Sequence, residues 1–155
     1  MDNIINAIIW SALPISEVRG GIPVAIAQGI NPITAFFLCV IANCIAIPIT
    51  FLFLDYLHKF LINIELYRIF FERHLEKARK KLEKSIGANG EFIALVLFVG
   101  IPLPMTGAYT GTLLAWFLNM DRKKAYLSIT LGVFISAAIV TTIVLGGIKI
   151  LDFLV

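Results

Sequence analysis

The stretch SALPISEVRGGIPVAIAQGIN, residues 11–31, decides the fold. Pro14, Gly20, Gly21 and Pro23 interrupt an otherwise apolar run, so residues 1–30 cannot form one straight helix. The break leaves about ten apolar residues on either side, roughly 15 Å of helix, which reaches the middle of a bilayer without crossing it. A second stretch repeats the pattern: FIALVLFVGIPLPMTGAYTGTLLAWFLNM, residues 92–120, is broken by Gly100, Pro102, Pro104, Gly107 and Gly111. Each stretch reads as a re-entrant hairpin, with Pro14, Pro23, Pro102, Pro104 and Gly111 as structural turn residues. Irregular backbone at that depth is tolerated only where protein covers it or where it lines a cavity, so the two breaks are expected to face each other or a partner subunit.

Working outward, the charges locate the rest. Of 155 residues 59% are hydrophobic and 15% charged, too few charges to solvate a soluble domain, and too apolar for a disordered one. Fourteen of the 23 charges lie between Asp55 and Glu91 and four form Asp121-Arg122-Lys123-Lys124, which leaves 20–54, 92–120 and 125–148 uncharged. Residues 31–54 and 125–149 are each long enough to cross a membrane. Pro48 predicts a local kink in the first, with Asn43 as a packing contact; Gly132, Ser136, Ala137 and Ala138 give the second a small-residue face. The N-terminus lacks a basic region and a cleavage site and reads as mature structure. Cys39 and Cys44 have neither zinc nor redox spacing and read as buried structural residues; no metal or cofactor is expected.

Topology follows from the basic blocks. If both broken segments return to their own side, Lys59–Lys84 and Arg122–Lys124 share one face, as the positive-inside tendency requires of a cytoplasmic surface. The first hairpin then enters from outside and the second from inside, with both termini outside. A shift of 88 aligns Pro14 with Pro102, Ala27 with Ala115 and Asn31 with Asn119, which suggests an inverted repeat of hairpin plus span. Between the halves, within residues 55–91, residues 57–84 carry apolar positions at helical spacing and a basic face. They read as an amphipathic helix on the cytoplasmic surface, ended by Gly87-Ala88-Asn89-Gly90. The whole is a single all-α integral membrane domain of the cell membrane, 1–155.

Glu17 and Arg19 are the only charges in the first broken segment apart from Asp2. An ionisable residue inside a membrane costs about 2.5–3.5 kcal/mol, so this couple is a functional candidate; mutual pairing that merely holds the turn is the plainer account. Half-helices starting near Pro23 and after Thr106-Gly107 would aim free N–H groups at the membrane centre, where with Arg19 they favour an anion. Glu17, desolvated, is the candidate proton-coupling group. Arg19, Gly20, Gly21, Thr106, Gly107, Tyr109 and Thr110 form the candidate substrate or anion site. Nothing marks a catalytic nucleophile, and interleaved Phe and basic residues fit a helix better than a nucleic-acid surface.

Glu17-Val18-Arg19-Gly20-Gly21-Ile22-Pro23 resembles the E-x-R-G-[AG]-x-P motif of the small multi-drug export protein family, and Pro102-Leu103-Pro104-Met105-Thr106-Gly107-Ala108-Tyr109-Thr110-Gly111 resembles its second motif. That family is similar in plan to the DedA group, whose two facing re-entrant hairpins are linked to proton-dependent movement of polyprenyl-phosphate lipid carriers and to drug tolerance. The DedA group places essential arginines in its second hairpin, whereas residues 92–120 here hold no charge.

The expected function is a proton-coupled secondary exporter of a small molecule. The alternatives are a flippase for a polyprenyl-phosphate-type lipid carrier, and a non-transport membrane scaffold whose basic helix binds a partner or headgroups. Membrane lipids, protons and a second copy of the chain are the expected partners. The homodimer is expected to join through the Gly- and Ala-rich face of residues 132–147.

Overall fold

The computed structural model describes residues 2–61, 90–103 and 106–154, and all six of its elements there are helices: α1 (Asp2–Ala12), α2 (Glu17–Ala27), α3 (Pro32–Leu61), α4 (Gly90–Gly100), α5 (Ala108–Phe117) and α6 (Arg122–Leu154). Most of the expected amphipathic helix, 62–84, lies outside the described residues, as do Pro104 and Met105; residues 57–61 continue α3 rather than opening a new element. α3 runs on unbroken through Pro48. At 1.5 Å per residue, α3 and α6 are long enough to cross a bilayer, whereas α1, α2, α4 and α5, of 10 or 11 residues, are not.

The two long helices are apolar around their whole circumference. Only 33% of the apolar window of Pro32–Leu57 and 28% of that of Arg122–Ile148 is buried within the chain, unlike a soluble core helix. Ile33, Ile49, Phe53, Leu127 and Ile143 all face outward.

Each short helix before a long one ends in the same device. Gly29 (φ +82°) and Asn119 (φ +53°) adopt the left-handed conformation, and the N–H groups of Ile30 and Met120 donate to the carbonyls of Ala25 and Ala115, both at 3.0 Å. The next helix is then capped by a side chain. Asn31 Oδ1 accepts from Ile33 N–H, and Asp121 Oδ1 from the N–H groups of Lys123 and Lys124. Gly29 and Asn119, Asn31 and Asp121, Pro32 and Arg122 are each 90 residues apart, whereas the alignment by identities has an offset of 88. Asn31 and Asp121 thus do the same work, each capping the start of a long helix.

The halves interlock. α2 packs on α6 and α5 packs on α3, while α4 and α3 also pack on α6. Ile22, Cys39, Ile47, Leu95, Val99, Ile129 and Val133 form the centre, and the rings of Phe36 and Phe134 meet edge to face at 4.9 Å. Cys39 is buried and unpaired, as expected of a packing residue.

Three glycine and proline assignments change. Gly21, expected in the anion site, sits inside α2, where a Cβ would lie 2.7 Å from Ser11 Cβ and 3.1 Å from Cys39 Sγ, so it allows close approach of α2 to α1 and α3. Gly111, its counterpart 90 residues on, lies inside α5, where a Cβ would come within 2.6 Å of Val99 Cγ2. Pro23 also lies inside α2, one turn and a half after its start, so it neither opens the helix nor makes the turn. Part of the small-residue face is used within the chain: at Gly132 a Cβ would meet Val99 Cβ at 2.6 Å and the Val96 carbonyl at 3.0 Å, and Ser136 and Ala137 are buried, whereas Ala138 is exposed and Gly146 and Gly147 have open space around them.

Candidate functional site

The links between the short helices, residues 13–16 and 101–107, come together, and side chains from one complete the backbone of the other. α2 begins on Glu17, whose φ of +47° is a conformation that costs a non-glycine residue about 1–3 kcal/mol and tends to occur where function demands it. Its carboxylate, 4% exposed, accepts two hydrogen bonds at the start of α5, from Ala108 N–H to Oε2 (3.1 Å) and from Tyr109 N–H to Oε1 (3.2 Å). Those amides are among the four that no helix can satisfy internally, and they carry the positive end of its dipole.

Arg19, two residues further on, treats the opposite polarity. Its guanidinium donates to the carbonyl of Leu103, to that of Thr106 (2.5 Å) and to Thr106 Oγ1 (3.0 Å). The Glu17–Arg19 couple is therefore not paired with itself. The acid takes the N–H groups and the base takes the C=O groups of one broken segment, which satisfies backbone that lipid could not.

Gly107 exists for this contact. A Cβ there would lie 1.4 Å from Glu17 Oε2 and 2.2 Å from its Cδ, so the carboxylate fills the space that any side chain would take. The Gly107 backbone is extended, at φ −116° and ψ −157°, and its N–H is held by Thr110 Oγ1 at 2.9 Å. Thr106 Oγ1 closes the link by facing the carbonyls of Ile101 (2.9 Å) and Leu103 (2.8 Å). Tyr109 returns the contact: its hydroxyl donates to the Ala12 carbonyl at 2.5 Å, the C-terminus of α1. Ser16 Oγ likewise donates to the Trp10 carbonyl.

Of the expected site residues, Glu17, Arg19, Thr106, Gly107, Tyr109 and Thr110 meet here. Gly20 and Gly21 do not present amides to this space. Gly20 N–H bonds the Ser16 carbonyl at 2.8 Å and a Cβ there would meet Ser16 Cβ at 2.5 Å, so both glycines serve packing. Pro14 lies in the first link and Pro102 in the second. The anticipated pair of free helix N-termini is also revised, since that of α5 is filled by Glu17 and that of α2 is Glu17's own.

Two side-chain groups escaped the reading of the sequence. Asn43 Nδ2 reaches the carbonyls of Ser11 (3.1 Å) and Cys39 (3.0 Å) and Ser11 Oγ (2.8 Å), all buried, which ties α3 to the end of α1; Asn43 was legible as a packing contact, its partner Ser11 was not. At the far end of α3, Asp55 Oδ1 accepts from Trp116 Nε1 (2.8 Å) and Arg122 Nη2 (2.7 Å), and the Arg122 guanidinium lies 4.3 Å from the centre of the Phe51 ring. Beside the site, between the first link, α3 and α5, runs an apolar groove of about 650 Å³ bordered by Pro14, Ile15, Phe53, Leu54, Tyr109 and Leu113. Among the described residues, no three His, Cys, Asp or Glu side chains gather as a metal site would require.

Comparison with known proteins places this arrangement in a family. A family model described as "Putative small multi-drug export protein" matches residues 17–139, beginning on Glu17 itself. No curated protein and no solved structure matches the chain.

Proposed function

The chain belongs to the small multi-drug export protein family, and from that premise we propose that it is a proton-coupled secondary exporter whose site is the meeting of the two links. Membership and the two membrane-length apolar helices point to a membrane protein that transports rather than catalyses.

The observation that carries the coupling is the Glu17 carboxylate seated on the first amides of α5. A neutral carboxyl is a weaker acceptor than a carboxylate, so protonation of Glu17 loosens both bonds. The start of α5 is then free to take a substrate's anionic or polar group, with Tyr109, Thr106 and Thr110 as polar lining and Arg19 holding the second link in place. Departure of the proton restores the contact and expels the substrate group. Purified protein in vesicles with a pH-sensitive dye and a fluorescent lipophilic compound tests this. Glu17→Gln should lose proton-driven movement; compound transport with unchanged proton dependence would end the assignment.

The flippase reading needs Arg19 for a lipid phosphate. Here the guanidinium is held by three oxygens of the second link and no other charge lies in 92–120, which favours the exporter. Loss of activity in Arg19→Ala with gradient-free exchange retained in Glu17→Gln would favour the flippase instead.

The membrane arrangement proposed is an inverted repeat, each half a re-entrant hairpin and a span. Two contacts support it. Asn3 Nδ2 donates to the Gln28 carbonyl at 3.0 Å, closing α1 and α2 into a hairpin whose ends share one side. The Asp55–Arg122 contact sets the end of α3 and the start of α6 on one side, which a through-crossing by α4 and α5 would forbid. The exchange of partners, α2 on α6 and α5 on α3, is the packing expected of a two-fold relation between halves. With basic residues inward, the Asp55 side is cytoplasmic and both termini lie outside. Ile15, 97% exposed at the tip of the first link, leaves irregular backbone uncovered; a second copy of the chain is proposed to cover it.

A further inference from the structure

The two ends of the α3–α6 crossing differ in a way that the 90-residue register makes plain. At one end Asp55, Trp116, Arg122 and Phe51 form the polar cluster that ties α3 to the end of α5 and the start of α6. Their counterparts 90 residues away are Leu145, Ile26, Pro32 and Thr141, which are uncharged. That is where the second end stands open: Pro32, Thr141 and Leu145, with Phe36, Phe37 and Ala138, border an apolar groove of about 330 Å³. One end is fastened by polar contacts, and its equivalent holds a groove beside the Phe36–Phe134 ring contact.

The fastened end also lies over the larger groove. Leu54 and Phe53, beside Asp55, and Leu113, three residues before Trp116, border the 650 Å³ groove that runs down to Tyr109, whose N–H holds Glu17. A space of that size accommodates a drug-sized molecule. We infer that Asp55, Trp116 and Arg122 are a latch that shuts this groove, and with it the Glu17–Arg19 site, from the Asp55 face, and that its opening is coupled to closure of the Pro32–Leu145 groove at the other face. This rests on the transport reading for its purpose, but not for its geometry.

The latch is suited to being transient. Asp55 and Arg122 keep about half of their side-chain surface exposed, so the pair is cheap to break, while Trp116 adds an indole hydrogen bond that is lost when the end of α5 leaves α3 and Phe51 a cation–π contact that is lost when the start of α6 does. Repeats that exchange unequal conformations are how inverted-repeat transporters alternate their access.

Distances between spin labels in the reconstituted full chain, with both native cysteines replaced by alanine, test the inference without any transport assay. One label pair replaces Tyr56 and Tyr126 at the latched face and the other replaces Thr34 and Ile143 at the opposite face, all exposed positions. Asp55→Asn is expected to raise the long-distance population at 56–126 about tenfold and, in step, a short-distance population at 34–143. Trp116→Phe, which keeps an aromatic ring and removes the N–H, should move both in the same direction by less. Unchanged distances in Asp55→Asn, or lengthening at 56–126 with 34–143 unmoved, would overturn the latch. Reciprocal distance changes in a protein that carries no compound would leave the latch standing and defeat the transport reading instead.

Discussion

Replacing Gly107 with alanine would test the Glu17 contact with a single methyl group. The new Cβ would fall 1.4 Å from Oε2, 2.2 Å from Cδ and 2.5 Å from Oε1 of Glu17, all far inside van der Waals contact, so the carboxylate must leave. The Gly107 backbone itself, extended at φ −116°, suits alanine without strain, which confines the damage to the contact. Two hydrogen bonds to a buried charge are lost, each worth about 1.5–3 kcal/mol, and the first amides of α5 are left unsatisfied. A total of about 3–6 kcal/mol follows, which for a domain of this size corresponds to roughly 6–24 °C in Tm. Thermal unfolding of purified Gly107→Ala in lipid would read it. The decisive comparison is the double variant Glu17→Ala/Gly107→Ala against Glu17→Ala alone. With the carboxylate gone the methyl has room, so the two should melt within about 2 °C of each other. Wild-type stability in Gly107→Ala, or a further large loss in the double variant, would refute the contact.

Other expectations follow from single side chains. Arg19→Lys keeps the charge but not the fork that spans the Leu103 and Thr106 carbonyls, and should cost about 1–2 kcal/mol by the same melting assay together with a clear loss of transport. Gly29→Ala touches nothing within 4 Å yet forces a Cβ onto φ +82°, so it should destabilise by about 1 kcal/mol for conformational reasons alone. Gly132→Ala, pressed on the Val96 carbonyl, should cost about 1–3 kcal/mol, whereas Gly146→Ala in open space on the same helix should be neutral or slightly stabilising.

The broken segments and the uncharged runs were legible because proline, glycine and charge act locally: a run without charges and a run without breaks are visible one residue at a time. Glu17, Arg19 and Gly107 stood out for the same reason. What the sequence could not reveal was who satisfies whom. Pairing of Glu17 with Arg19 is the short-range guess, but the residues that need them, Ala108, Tyr109, Leu103 and Thr106, are over 80 positions away. Gly111 is ambiguous in sequence because a tight turn and a close helix contact both select glycine; it serves the second. Pro23 misled because a proline seven positions into a helix and one at its start look alike in sequence. The offset of 88 follows identities in the sequence, whereas the positive φ shared by Gly29 and Asn119, 90 residues apart, is a matter of conformation that residue identity does not reveal. The Asp55 cluster was hidden because an aspartate, a tryptophan and an arginine at the ends of apolar runs are ordinary interface residues until they meet.

Sidedness of labelling tests the central claim, that two broken helix pairs enter from opposite faces and meet through Glu17 and Arg19. Single cysteines replacing Gly29, Tyr56 and Lys123, in a chain whose native cysteines are alanine, would be probed with an impermeant maleimide in vesicles of known orientation. The account predicts that positions 56 and 123 react from one side and position 29 from the other. Reaction of 29 and 123 from the same side would contradict it.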